Sequence, residues 1–599
     1  MAQKRPFNEG KRHFKKNKKQ KPSGVEGSSE DVLLADIRQL LKDTKLSAPN
    51  EGSVDERPPL PEPQTEIELT IATLSSTGDG LAHRHGHVYV VPFAAPGDTV
   101  TAKVYKHIPE ASYTLTDFLA VSTPGPHRTE TPRCPYFTQC SGCQFQHLPY
   151  AYQLAHKRRV VEKAYANFSH LPAAAVPAVG ETIGSPLQYA YRTKLTPHFD
   201  EPPGGRRDRR HGKEVTWPGV PPIGFMRKGG KKTMDIEECP IGTEAVQRGL
   251  VRERARVGRE IGGFQRGATL LLRESTERIA KGGVGGEVGV PGVGEDGDGD
   301  GEEVVEDRGE YVDRKTCITD PKATSTEYVD AFRFDNPAGA FFQNNNGILP
   351  LVTRYIREHI LGPPTTSTPS TTTSSQQPPK IKNLIDAYCG SGFFTVALSA
   401  TFSHSIGIDI AAPSIASARH NAALNHLPAD STTFLASDAN ALFAAISSSF
   451  LPEETAVIID PPRKGCDEGF IRQLLRFAPA RVCYVSCNVH TQARDVGWLV
   501  GGLVGGSGEG EGLPVEGGYE IESLRGLDFF PQTGHVEGVA ILRRKRVGEG
   551  QGDGDGQAGE GVGEPGPPVA EDGGAGEVAG NGSAPAVEQA DATPVEVAR

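Results

Sequence analysis

From Ile381 to Cys487 the chain alternates short apolar runs with helical segments, and nearly every run ends on a polar or reactive residue. The succession is "NLIDAYC", a glycine turn, "FFTVALSATF", "SIGIDI", "PSIASARHNAALNHL", "TTFLASD", "AVIIDPP", "GFIRQLLRFA" and "RVCYVSC". Parallel strands need a crossover connection, and a helix is the usual one, so this alternation specifies a Rossmann-like, doubly wound α/β sheet with helices on both faces. In such a sheet ligands bind in the crevice at the carboxyl ends of the strands. The residues at those ends are therefore the candidates for function.

In "DAYCGSGFF" an acid closes a strand, Gly390 and Gly392 make a tight turn, and a helix follows, which lets a ligand approach the backbone. The turn lacks the third glycine of a dinucleotide fingerprint and the lysine of a phosphate-binding loop, which counts against NAD and ATP. Asp409 ends the next strand, where it can accept hydrogen bonds from a ribose diol, and Asp438 ends the third. Acids at three successive strand ends suit a nucleoside ligand without phosphates, of which S-adenosylmethionine is the common example. Taken singly, each acid is more often a helix cap or a solvated loop residue than a ligand.

"VIIDPPRKG" places Asp460 at the fourth strand end, before a rigid Pro-Pro turn and the cations Arg463 and Lys464. Asp-Pro-Pro at this place occurs in methyltransferases that act on exocyclic amines, where the loop holds the target base. Such enzymes need no thiol, yet the next strand ends in Cys487. Cys483, four residues earlier in that strand, shares its face by period-two alternation and reads as a buried apolar filler. Cys487 lies at the end, followed by Asn488, where solvent and ligand reach it. The residues alone leave a reactive thiol and a core thiol both open.

Composition divides the rest of the chain. Residues 1–24 carry nine Lys/Arg against one acid, while 286–310 and 548–599 carry ten and eleven acids with one Arg each. These three segments account for the whole net charge of −11, so the remaining body is neutral and the overall acidity says nothing against a nucleic-acid partner. The expected layout is a disordered basic arm over 1–60 and a small β-barrel over 61–125. A mixed α+β central domain follows over 126–350, with a disordered acidic insert at 286–310. A linker over 351–380, the α/β domain over 381–545 and a disordered acidic tail over 546–599 complete it. The barrel is read from the short alternating runs between Glu66 and Val121 with turns "STGDG" and "APGDT". No apolar run has the length of a membrane span and no signal peptide is evident, so a soluble intracellular protein with reduced or ligating thiols is expected, in nucleus, cytosol or mitochondrion. The basic arm suits a nuclear-localisation patch, an RNA-binding arm or a solvated tail.

"GDGLAHRHGHVYVVPFAAPGD" resembles the TRAM domain, an OB-like RNA-binding barrel attached to RNA-modifying enzymes. "YRTK" (191–194), "FFQNN" (341–345), "DAYCGSGFF", "IDPPRKG", "YVSCN", "TQARD" and "GHVEGV" stand in the order found in the RNA uracil-C5 methyltransferases. The chain is similar to that family from about Glu66 to Arg544, most of all to its fungal-type tRNA uracil-54 members. The resemblance implies S-adenosylmethionine bound by Gln343, Tyr388, Asp409 and Asp460, with Cys487 as nucleophile and Glu537 as proton acceptor. A thiolate adding to C6 makes C5 nucleophilic enough to take the methyl group, and the base then removes the C5 proton so that the enzyme is expelled. Arg463 and Lys464 are candidates to steady charge on the ring oxygen or to touch phosphate. Val489 stands where the family commonly has proline, and Gly534 where it frequently has histidine.

"CPYFTQCSGC" and "ECPI" supply Cys134, Cys140, Cys143 and Cys239, four thiols suited to zinc or to an iron-sulfur cluster. The iron-sulfur branch of the family has the same three-plus-one pattern, which implies a structural [4Fe-4S] cluster. Arg206, Arg207, Arg209, Arg210 and Lys213 make a cationic loop, and Arg227, Lys228, Lys231 and Lys232 a second cluster, either solvated or tracking phosphates. The expected partner is RNA, tRNA ahead of rRNA, with no membrane and no protein partner. Two other classes stay in view: an amine methyltransferase that dispenses with Cys487 and Glu537, and a non-catalytic RNA-binding or tRNA-folding factor.

Overall fold

The computed structural model describes residues 26–47, 58–281, 303–362, 380–437, 446, 449–503 and 516–545. Residues 1–25, most of the acidic insert, the Thr/Pro-rich stretch 363–379, Asp438 and the tail from 546 lie outside the described residues.

One eight-stranded sheet organises the molecule. Its order is Thr432–Ala436, His404–Asp409, Asn383–Ala387, Thr455–Ile459, Arg481–Ser486, Glu537–Arg544, Tyr519–Leu527 and Gly180–Ile183. The first five are mutually parallel, Glu537–Arg544 runs antiparallel to both neighbours, and Gly180–Ile183 is parallel to Tyr519–Leu527. Alternate residues serve opposite faces, as the period of two requires. Ile385, Val457, Ile459, Val482 and Tyr484 join one apolar cluster with the helices Tyr150–Phe168, Glu468–Phe477 and Val489–Gly501. Leu384, Ala456, Ile458, Cys483 and Val485 join the other, with Leu349–Ile360, Phe393–Ala397 and Ala412–Leu424. The central strands are buried from end to end because both faces are covered. Strand order reverses between Asn383–Ala387 and Thr455–Ile459, which places the ligand crevice there.

Residues 66–123 form a six-stranded sheet in the order Glu66–Thr70, Thr99–Ile108, Tyr113–Thr123, His87–Val91, Gly80–Arg84, Thr73–Leu74. His87–Val91 is buried along its whole length. Tyr89 and Val91 pack inward with Leu69, Ile71 and Val100, whereas Val88 and Val90 face the other way, onto Leu33 and Ile37 of a helix spanning Ser29–Ser47. The predicted central region holds a four-stranded sheet from 198–269 and another from 194–318, plus the hairpin Thr324–Val329 with Phe332–Pro337. Among the described residues no helix is long and apolar enough to cross a membrane.

Four expected boundaries are corrected. Residues 29–47 of the supposed disordered arm are a helix whose apolar stripe, Val32, Leu33 and Ile37, is buried. Val304–Asp307, assigned to the disordered insert, is a strand paired with Tyr311–Ile318. Leu349–Ile360, placed partly in the linker, is a core helix with Val352, Ile356 and Ile360 fully buried. The helix Tyr150–Phe168 and the strand Gly180–Ile183, placed in the central domain, belong to the layers of the large sheet.

Candidate active site

Gln343, Tyr388, Asp409 and Asp460 all line one cleft of about 690 Å³ at the carboxyl edge of the sheet. The turn that shapes it is made by Tyr388 (φ 62°) and Gly390 (φ 52°), and a Cβ on Gly390 would meet nothing within 4 Å, so the backbone there faces open space. Asp409 steadies this turn: its Oδ2 accepts from the Gly390 amide at 3.0 Å and its Oδ1 from the Ala411 amide at 2.8 Å. Asp386 caps the following helix, accepting from the amide and hydroxyl of Thr395 at 2.9 and 2.6 Å. Phe341 (76% exposed) and Ile410 (73% exposed) stand on the rim, apolar surface open to a flat ligand.

The nucleophile candidate is set by register. Ser486 pairs with Gly538 in the antiparallel ladder, so the next residue, Cys487, comes opposite Glu537. Cys487 is half-buried, whereas Cys483 is fully buried in the core. Burial, then the Glu537 and Asp460 carboxyls, push the Cys487 thiol up to about 12, and the Arg463 guanidinium beside it pulls the other way. Glu537 is pushed up to about 8, chiefly by burial and next by Asp460, again opposed by Arg463. Asp460 itself is raised to about 7 by burial and by Asp386. Three interacting acids and a thiol at one sheet edge are the arrangement expected where protons are moved.

Cys487, Arg463 and His535 line a second, smaller cavity of about 120 Å³. The loop 461–465 lies between the two spaces: Arg463 faces the small cavity, while Pro462, Lys464 and Gly465 line the large one. The helix after Cys487 holds this loop. The Arg463 carbonyl accepts from Asn488 Nδ2 (3.1 Å) and Thr491 Oγ1 (3.2 Å), the Lys464 carbonyl accepts from Arg494, and Asp495 Oδ2 takes the Cys466 amide (2.7 Å) and the Tyr484 hydroxyl (2.6 Å). Gly465 has φ 78°, and a Cβ there would lie 2.5 Å from Asp495 Oδ2, so glycine is required. "TQARD" thus fixes the loop that carries Asp460 and Arg463; the sequence shows the motif without this task.

A polar scaffold that sequence reasoning missed supports the Glu537 side. Lys157 donates to Asp528 at 2.5 Å and to the Phe530 carbonyl at 2.9 Å, both side chains being fully buried. Gln153 and Gln532 exchange two hydrogen bonds of 3.1 Å, and Gln144 accepts from the Gly534 amide while donating to the Thr77 carbonyl. Tyr191 of "YRTK" donates to the Pro531 carbonyl. Val489 occupies the first turn after Asn488, whose side chain caps the helix by accepting from the His490 amide.

The thiols of Cys134, Cys140, Cys143 and Cys239 lie within electrostatic reach of one another. Burial raises each one, and Cys143 is raised further by Cys239, Cys140 and Cys134. No group of three or more potential ligands among the described residues stands in a metal-holding arrangement. Part of the basic region is structural: Arg209 pairs with Glu201 at 2.8 Å and bonds the Gln265 carbonyl, Lys228 pairs with Asp79 at 2.9 Å, and Arg227 bonds Gln139 beside Cys140. Arg206 and Arg210 are exposed.

Comparison with known proteins follows the same outline. The profile of the family described as tRNA (Uracil-5-)-methyltransferase matches residues 373–501. The tRNA (uracil(54)-C(5))-methyltransferase of Schizosaccharomyces pombe is 40% identical over 542 residues, covering 90% of this chain and 87% of that protein. That of Saccharomyces cerevisiae is 37% identical over 574 residues, covering 89% and 84%. The solved structure of Pyrococcus abyssi tRNA (uracil-54, C5)-methyltransferase with S-adenosyl-L-homocysteine superposes with a TM-score of 0.52 at 22% identity, over 80% of this chain and all of that one, a likeness of fold.

Proposed function

The chain belongs to the tRNA (uracil-5-)-methyltransferase family, and on that basis we infer that it methylates C5 of uridine 54 in tRNA with S-adenosylmethionine as donor. The observation that carries the chemical reading is the Ser486–Gly538 register, which sets Cys487 against Glu537 at the edge of the cleft lined by Gln343, Tyr388, Asp409 and Asp460. Those four residues would hold the donor, which supplies an electrophilic methyl group, with Asp409 suited to accept from a ribose hydroxyl and the exposed Phe341 and Ile410 offering apolar surface to a flat base. The flipped uridine enters the smaller cavity, since a stacked base cannot offer C6 to a thiol. The Cys487 proton passes to solvent, Arg463 steadying the thiolate, and the sulfur bonds to C6 while the C5–C6 electron pair moves towards C5 and the ring oxygen. C5 then takes the methyl as the donor's sulfur–methyl bond breaks to leave S-adenosylhomocysteine, Glu537 accepts the C5 proton, and the C6–S bond breaks to release the product.

The six-stranded sheet acts as a TRAM-type RNA-binding module. Cys134, Cys140, Cys143 and Cys239 are the residues that would hold a structural [4Fe-4S] cluster. The donor set supports this, because the Cys239, Cys140 and Cys134 thiols oppose the ionisation of Cys143, and a cationic centre would neutralise such a set and make it a good ligand group. The side chains must close further to do so. The test of the main reading is tritium released from 5-tritiated uridine in tRNA and rRNA transcripts. Release from tRNA at position 54 alone is expected; release from rRNA alone, or methylation without release, overturns it.

A further inference from the structure

The lining of the large cleft comes from separate parts of the chain. Asn336, Pro337, Phe341 and Gln343 supply one part, and Tyr388, Gly390 and Ser391 of the glycine turn supply another. Apolar rings meet between them, with Phe334 5.9 Å and Phe342 6.1 Å from Phe393, but such contacts are not directional and do not by themselves fix a spacing.

A directional link runs through the helix Ala412–Leu424. Asn421 Oδ1 accepts from the Asp335 amide at 2.8 Å, and its Nδ2 donates to the Ser391 carbonyl at 3.0 Å. The side chain is fully buried, and one orientation of its amide satisfies both partners, because the N–H must meet oxygen and the carbonyl must meet N–H. Ala418, one turn earlier on the same face, backs the turn: a Cβ on Gly392 would lie 3.1 Å from the Ala418 Cβ. Asn425, one turn later, accepts from the Arg333 amide at 2.9 Å and donates to the Arg333 carbonyl at 2.7 Å. Arg333 and Asp335 are two residues apart in the strand Phe332–Pro337, so the two asparagines cover one edge of that strand as a neighbouring strand would. Asn425 stops at the hairpin, whereas Asn421 continues to the glycine turn. Aspartate at 421 would keep the Asp335 bond and set a carboxylate against the Ser391 carbonyl. Leucine would leave both backbone groups without this partner.

Resting on the reading of the large cleft as the S-adenosylmethionine site, we propose that Asn421 is a positioning residue for the donor. It holds the turn that presents Tyr388 and Gly390 at a fixed spacing from the strand that leads to Gln343, and it lies behind the cleft lining rather than in it. The reacting groups Cys487 and Glu537 sit at the ends of other strands, so loss of the bridge should weaken donor binding more than it slows the chemical step.

The test uses the full-length protein, with S-adenosylhomocysteine as the calorimetric probe and donor KM and kcat measured at saturating tRNA. Asn421→Asp and Asn421→Leu should each raise Kd and donor KM roughly five- to tenfold, the worth of about one hydrogen bond, with kcat held within about twofold. Asn425→Ala loosens the same hairpin but spares the bridge, so it should lower the melting temperature and leave Kd within about twofold. Hydrogen exchange on the native chain gives a readout that needs no variant to fold. S-adenosylhomocysteine should slow exchange of the Asp335 amide, which Asn421 ties to the turn, more than that of the Arg333 amide, which Asn425 holds. Native Kd in both Asn421 variants, an equal loss in Asn425→Ala, or no added protection of the Asp335 amide overturns the proposal. Native protein that binds no S-adenosylhomocysteine would overturn the donor-site reading itself, and this role for Asn421 with it.

Discussion

Glu537→Gln separates the two halves of the proposed reaction and tests the electrostatics of the site. With Glu537 held at about 8, its ionised fraction climbs from about 1% at pH 6 to about half at pH 8, so any step that needs the carboxylate should accelerate roughly 50-fold over that range. Tritium release from 5-tritiated tRNA, followed as kcat/KM, should show this limb in the native protein. In the Gln variant release should stop, while a covalent protein–RNA adduct accumulates and survives denaturing electrophoresis. Adduct formation should keep rising above pH 8, because Cys487 ionises only near 12. Stability should move the opposite way. A carboxyl raised from its ordinary 4.5 to about 8 favours the folded state fully below 4.5, and that contribution is lost as pH rises toward 8. Between pH 5 and pH 8 the loss is about 3 kcal/mol, so the Gln variant should gain roughly that much on the native protein over the same interval. Tritium release independent of pH between 6 and 8, or wild-type release by the variant, would refute the assignment of Glu537 as base.

Cys487→Ala should abolish turnover and trapping by 5-fluorouridine RNA, whereas Cys483→Ala, which removes one buried sulfur from the core, should cost about 1 kcal/mol and leave both intact; normal methylation by Cys487→Ala would end the covalent reading. Lys157→Met leaves the buried Asp528 carboxylate without its cation and should cost about 3 to 5 kcal/mol by denaturant unfolding, with the double variant Lys157→Met, Asp528→Leu recovering part; a loss below about 1 kcal/mol would contradict the burial of the pair. Protein purified without oxygen should carry iron and sulfide at about four each per chain, and stoichiometric zinc without iron would replace the cluster assignment. Changing Arg206 and Arg210 to Gln should lower the salt slope of tRNA binding by about 1 to 2 if that loop follows phosphates, while Arg209→Gln should weaken folding through its Glu201 and Gln265 contacts; an unchanged slope shows that the loop is solvated.

What the sequence made legible is what has short range. The unbroken apolar runs of "AVIID" and "RVCYVSC", the acids at strand ends and the glycine turn are local, and the structure gathers Gln343, Tyr388, Asp409 and Asp460 on one cleft. The opposition of Cys487 and Glu537 needed only one antiparallel pairing beyond that. The misassigned boundaries have long-range causes. Gly180–Ile183 has four residues and pairs with a strand more than three hundred positions later, so neither length nor alternation announces it. The hydrogen bonds that hold the Glu537 loop span 371 to 390 positions and join glutamines and a lysine whose burial no local pattern reveals. The helix Ser29–Ser47 is the exception, since Val32, Leu33, Ile37, Leu40 and Leu41 have helical spacing; its charged neighbours concealed it.

Gly534 shows how the two kinds of information meet. A Cβ at that position would lie 3.2 Å from Gln144 Oε1 and from the Thr77 carbonyl, so a larger residue there requires Gln144 and the small sheet to withdraw. Gln144 follows Cys143 directly, and its amide accepts from Gly534 while donating to Thr77. The glycine at this position is therefore matched by the packing of Thr77 and Gln144 against the wall of the smaller cavity. The reacting groups belong to the large sheet, but the cavity's wall comes from Gly27 and Ser29, from Ser76 and Thr77, and from Gln144. Chemistry and substrate fit thus reside on different parts of the chain. On the proposed reading, changes in the wall should alter which RNA is accepted without touching the donor cleft, because no residue lines both cavities.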